Sequence, residues 1–150
     1  MTSELRDEAN RRHKSHQNHE SSRPLSEDYE YVGLVGEAAF GDVVGQSPDL
    51  STRPGGDKGV DFRIRLDLSV DVKTARKAGH LIHETGKPFA DIYVLAEYSD
   101  ETKSATLLGW EFGSTLSRAP IRDFGYGILS HYIHRSKLKP ISALVRRLAR

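Results

Sequence analysis

The sequence predicts an α/β protein: a central mixed β-sheet of about five strands flanked by helices. Three observations carry this expectation. Apolar residues recur at helical spacing up to about Val44. A polar/apolar alternation then runs through a hairpin between residues 61 and 74. Asp91 to Tyr98 is a nearly unbroken apolar run, the pattern of a strand covered on both faces. A chain of 150 residues, 37% hydrophobic and 29% charged, is large enough for one real core. Its net charge of +1 gives no global field toward a polyanion, so any such partner must be met by local charge. The absence of cysteine excludes disulfides and thiolate metal sites. No apolar run approaches the roughly 18–20 residues that span a bilayer. The polar N-terminus does not resemble a secretory leader, and a cytoplasmic location is expected.

Residues 1–24 hold almost no large apolar groups and mix both charges with Ser, Asn, Gln and His. Such a stretch cannot bury enough surface to offset its ordering entropy, so a disordered tail is expected ahead of a single domain over 25–150. His13, His16 and His19 recur every third residue and suit metal capture; incidental histidines in a solvated tail are the plainer reading. Ser26 is placed to cap a helix, with Glu27 and Asp28 complementing its dipole. Val32, Val35, Ala39, Phe40 and Val43 form its apolar stripe, and Glu37 stands at the edge of that stripe. Gly33, Gly36 and Gly41 weaken the helix, and make sense if it packs very close to a sheet.

A long loop, 45–59, carries Ser-Pro, Arg-Pro and Gly-Gly breakers. The hairpin follows. Asp61, Arg63 and Arg65 share one face of its first strand, and Ser69, Asp71 and Lys73 one face of its second. A reversal at Leu66 to Leu68 sets those polar faces on the same side. Asp61 and Asp71 are then about 5–8 Å apart between β-carbons, a spacing that suits chelation of one divalent cation beside an ammonium. An ordinary wet strand face is the competing reading. Against it stand the close-approach glycines Gly55, Gly56 and Gly59 before Asp61, the clean apolar faces, and Glu37 upstream.

Further strands are expected at Gly79–Glu84, with His80 and His83 on opposite faces, at Asp91–Tyr98 and at Ala105–Phe112. Thr85 to Phe89 reads as a turn or short helix. Glu101-Thr102-Lys103 also spells acid-x-Lys, but a charged turn cannot hold metal geometry as paired strands can. Glu111 reads as an ordinary strand residue. The last third is expected to be helical: Phe124, Ile128, Leu129 and Tyr132 as one stripe, His131 and His134 one turn apart. A final helix opens at Pro140 with Ile141, Leu144, Val145 and Leu148 inward. From Arg135 onward there are cations and no acid.

The order of a helix with Glu37, a Gly-rich turn, Asp61 and then Asp71-Val72-Lys73 resembles the PD-(D/E)XK nuclease superfamily. The acid spacing is most similar to the Holliday-junction-resolvase-like branch and related phage endonucleases. The likeness covers roughly residues 27 to 112. Val60 stands where proline is usual, and Asp71 where Glu is commoner; both variants occur in the superfamily. The resemblance implies a restriction-endonuclease-like αβββαβ core and an Mg²⁺-dependent DNA endonuclease, with Mn²⁺ able to substitute. Branched or junction DNA is one substrate it allows, and the sequence does not choose among junction resolution, restriction, repair and phage-DNA processing. It implies Glu37, Asp61, Asp71 and Lys73 as catalytic residues. Asp61, Asp71, the Val72 carbonyl and Glu37 would be metal ligands, since hard cations take oxygen donors. Arg63, Arg65, Arg76, Lys77, Lys137 and Lys139 are then candidates for contact with the DNA backbone. A homodimer fits two-strand cleavage. A nucleic-acid-binding or assembly protein on the same fold, without turnover, is the alternative.

Overall fold

The computed structural model describes residues 28–45, 62–64 and 68–148. The tail over 1–24, Ser26, Glu27, most of the 45–59 loop with its glycines, Asp61 and Arg65 lie outside the described residues.

Helix α1 spans Tyr29–Val44. Asp28 stands at its N-cap position, and its carboxylate is directed to Arg76. Gly45 ends it in the left-handed conformation (φ 72°), its N–H reaching Gly41 O. Strands β1 (Phe62–Ile64) and β2 (Leu68–Ala75) form the expected hairpin, with Phe62 opposite Val70 and Ile64 opposite Leu68. After β3 (His80–Glu84) come β4 (Ile92–Ser99) and β5 (Ser104–Phe112), the short helix α2 (Gly113–Leu116), β6 (Ile121–Asp123) and β7 (Leu129–His134). A 3₁₀ turn (Arg135–Lys137) leads to α3 (Ile141–Leu148).

The class is mixed α/β, but the strands do not form one five-stranded sheet. A four-stranded sheet has the order β1-β2-β4-β5, with β2 and β4 parallel and the outer pairs antiparallel. A separate antiparallel sheet has the order β3-β7-β6. The strand at 80–84 belongs to the second sheet because its partner lies far downstream in β7, whose sequence reads as helical. Among the described residues, no helix is long and apolar enough to cross a membrane.

That misreading of 121–134 has an identifiable cause. Phe124, Ile128, Leu129 and Tyr132 mimic helical spacing, yet Gly125 and Gly127 take φ of 108° and 73°, which a helix cannot accommodate. The Asp123 carboxylate gathers the N–H groups of Gly125, Tyr126 and Gly127 into a turn. His131 and His134 accordingly lie on opposite faces of a strand, paired across it with His83 and His80.

The four-stranded sheet is covered on both sides. On one face Val70, Val72, Ile92, Val94, Ala96 and Trp110 pack with Phe40 of α1 and Leu144 of α3. Tyr31, Val32, Leu34 and Val35 of α1 continue that layer around Tyr98. Val43, expected inward, is 42% exposed, and its neighbour Val44 takes the inward place against the core. On the other face Tyr93 and Leu95 pack with Leu81 of β3, Leu116 of α2 and, less deeply, Ile133 of β7. The alternation within β4 thus feeds two cores, as its continuous apolar run requires. Ser69 and Asp91 latch the parallel pair: Ser69 N–H and Oγ donate to Asp91 Oδ2 (2.9 and 3.1 Å), and Asp91 N–H donates to Ser69 Oγ (2.9 Å).

α1 reaches β2 at Gly36. A Cβ there would lie 1.8 Å from Thr74 Oγ1 and 2.9 Å from Thr74 Cβ. Only a residue without a side chain permits this approach.

Candidate active site

β2 presents Asp71 and Lys73 on one face, with Lys73 Nζ 3.0 Å from Asp71 Oδ2. Val72 points into the opposite core. Asp71 is 4% exposed, whereas the Lys73 side chain is 39% exposed. A carboxylate at that depth is costly unless a cation meets it. Here the cation itself stays within reach of solvent.

The strand register sets the surroundings. Asp71 lies beside Tyr93 on β4, and Tyr93 beside Glu111 on β5, so the three form one row on one face. Two strand spacings separate the ends of the row, about 10 Å, with Tyr93 between them. Lys73 Nζ is 5.9 Å from the Tyr93 ring centre, within cation–π range. The Tyr93 hydroxyl accepts from Ala90 N–H at 2.9 Å and faces His83 Nδ1 at 3.2 Å. His83 Nε2 lies 3.1 Å from the Lys87 carbonyl. A carbonyl only accepts, so Nε2 bears the proton and Nδ1 accepts from Tyr93. Burial holds the His83 imidazole below its ordinary pKa, with Lys73 adding to the effect against the Lys87 carbonyl and Asp71. Burial likewise pushes the Tyr93 phenol up, and Asp71 adds to it.

Glu37 is 3% exposed. It belongs to the helix that covers the Val70–Val72 face of β2, so it comes from the layer opposite the Asp71–Lys73 pair. Among the described residues no three acidic or histidine side chains come together to hold a metal. Asp61, the third carboxylate of the expected set, lies outside them, as does Arg65. Arg63 stands on β1 opposite Ser69.

Protein-family models, curated proteins and solved structures all lack a match to this chain.

The basic candidates separate by environment. Arg76 is held by two carboxylates, bonding Asp100 at 2.6 and 2.9 Å and Asp28 at 3.0 and 2.8 Å. Asp100, then Asp28, raise its pKa further above the ordinary arginine value. The guanidinium ties the end of β2 to the start of α1 and to the turn after β4. Lys139 Nζ lies 2.5 Å from Glu111 Oε1. Lys77 and Lys137 are exposed.

Three residues near the pair escape a reading of the sequence. Tyr93 is hidden in an apolar run. His83 is one of many histidines, and its importance comes from a loop carbonyl four residues on. Glu111 looks like an ordinary strand residue, yet it is 5% exposed and bonded to Lys139 and to its neighbour's amide, Phe112 N–H, at 2.8 Å. Its place beside Tyr93 was legible only from register.

Proposed function

We propose that this protein is a metal-dependent DNA endonuclease built on a restriction-endonuclease-like core, with Asp71 and Lys73 at its centre. The observation that carries the reading is the pair itself: a buried strand carboxylate joined at 3.0 Å to a partly exposed ammonium on the same face. The element order supports it. A helix bearing a buried glutamate precedes an antiparallel hairpin whose second strand runs parallel to the next strand of its sheet.

The donor set fits a hard divalent cation, because every candidate atom is an oxygen. The Asp71 carboxylate and Val72 carbonyl would hold Mg²⁺, or Mn²⁺ in its place, together with Asp61, adjacent in sequence to β1. Glu37, which comes from the layer across the sheet, would contribute through water. When bound, the ion neutralises phosphate charge and makes a water molecule more acidic. Lys73 orients the attacking water by hydrogen bonding and offsets charge developing on the phosphoryl oxygens. It also reduces repulsion among the carboxylates. Tyr93 limits where the Lys73 ammonium can lie. Lys77 and Lys137, with Arg63 and Arg65, would follow the DNA backbone; such contacts set register and carry no sequence information.

The test is incubation of purified full-length protein with linear, flapped and branched DNA, with and without Mg²⁺. Cleavage that requires the metal is expected. It should disappear in Asp71→Asn and Lys73→Ala while DNA binding persists. Wild-type protein that binds all these substrates and cuts none would overturn the proposal in favour of a non-catalytic DNA-binding protein.

A further inference from the structure

The second sheet has an inner face in the core and an outer face that no part of the nuclease reading uses. The inner face carries Leu81 and Ile133. On the outer face the register sets His80 beside His134, Ile82 beside Tyr132, and Arg122 beside Ser130. Phe124, just past β6, joins them. The rings form one continuous group. Phe124 and Tyr132 are 5.6 Å apart between ring centres, and His80 meets Phe124 at 5.4 Å, Tyr132 at 5.7 Å and His134 at 5.0 Å. The Arg122 guanidinium lies 4.6 Å from the Phe124 ring centre and 5.9 Å from that of Tyr132. Arg122 and His134 are exposed, and the other three rings are partly so.

We propose that this face is a stacking platform for single-stranded DNA, separate from the Asp71 site and argued from different residues. Bases offer flat π-faces only when they are not stacked within a duplex, and aromatic rings and guanidinium planes are the groups that take them up. The charge is complementary to phosphate. Arg122 lies within the ring group and exposed Lys137 follows β7 closely, while Arg135 is bound to Glu97 at 3.1 Å. Glu84, the acid on this face, lies in the row of Arg122 across Ser130 and is joined to Lys87 at 2.8 Å. Burial, then His134 and Arg122, hold His80 below its ordinary pKa. Antiparallel pairing on both sides of β7 fixes the spacing of the rings, so little ordering remains to be done on binding.

The test uses the full chain at low salt with EDTA, which keeps cleavage out of the readout. Fluorescence anisotropy follows binding of a labelled oligo(dT) of about 15 nucleotides. Phe124→Ala should weaken binding about tenfold, the loss expected for one stacked base. Phe124→Tyr, which keeps a ring, should bind as wild type. Arg122→Gln, an exposed substitution that leaves the core intact, should also weaken it. Affinity for a blunt duplex should stay unchanged in all three. Wild-type affinity for oligo(dT) in both Phe124→Ala and Arg122→Gln overturns the proposal. So does tighter binding of oligo(rU), or a wild-type dimer that Arg122→Gln dissociates. A protein that cuts no DNA can still pass this test, and one that cuts DNA can still fail it.

Discussion

Replacing Gly36 with alanine should lift α1 from β2. In isolation the substitution favours the helix by about 1 kcal/mol. In this position the new Cβ meets Thr74 at three atoms: Oγ1 at 1.8 Å, Cβ at 2.9 Å and Cγ2 at 3.1 Å. Rotating the Thr74 side chain moves Oγ1 and Cγ2 but not its Cβ, which is fixed to the strand backbone. Ordinary carbon–carbon contact lies near 3.5 Å or beyond, so helix and strand must separate by about half an ångström or more. Overpacking of this kind costs about 1–3 kcal/mol. It outweighs the propensity gain here because Phe40, on the same helix, is fully buried against the same sheet. A net loss of up to about 2 kcal/mol is expected in urea unfolding, read as a lower midpoint at unchanged slope. Thr74→Ala removes two of the three clashing atoms and also a buried hydroxyl with no hydrogen-bond partner among the described residues. The double variant should therefore recover part of the loss, with a coupling of about 0.5 kcal/mol or more. Because Glu37 follows Gly36, Gly36→Ala should also reduce cleavage by more than its unfolded fraction explains. A Gly36→Ala protein as stable as wild type, or strict additivity with Thr74→Ala, would refute the close-approach argument.

Other outcomes follow from individual contacts. Tyr93→Phe removes the acceptor of Ala90 N–H and the donor to His83 Nδ1, both buried; it should cost about 1–3 kcal/mol in denaturant titration. For His83 the folded pKa lies below the ordinary histidine value. The unfolded chain thus binds its proton first as pH falls. Stability is full above about pH 7 and declines through roughly pH 6.5 toward the folded value. His83→Gln should flatten that part of the stability profile between pH 7.5 and 5.5, and an unchanged slope would show that His83 does not set it. Arg76→Ala breaks the clamp to Asp28 and Asp100 and should lower the melting temperature. The loss should shrink in about 1 M salt, where exposed ion pairs are screened; a salt-independent loss would point to packing instead.

The sequence by itself determined those elements whose side-chain pattern is local. α1, the β1–β2 hairpin, the doubly covered β4, and α3 behind Pro140 all follow from periodicity and breakers. So does the sharing of one face by Asp71 and Lys73, since residues two apart on a strand always do. Even the closeness of α1 to the sheet was signalled by the glycines of that helix. Tertiary structure alone decided what depends on partners distant in the chain. β7 reads as a helix until β3, some fifty residues earlier, is set beside it; pairing energy and the turn bound by Asp123 then outweigh a weak helical pattern. The same long-range pairing removed β3 from the main sheet and gathered His80, Arg122, Phe124 and Tyr132 on one face, while the register of β2, β4 and β5 placed Tyr93 and Glu111 in line with Asp71. Periodicity records which way a side chain points along its own element. Which element it then faces depends on strand pairing across the whole fold, and a single sequence does not state that.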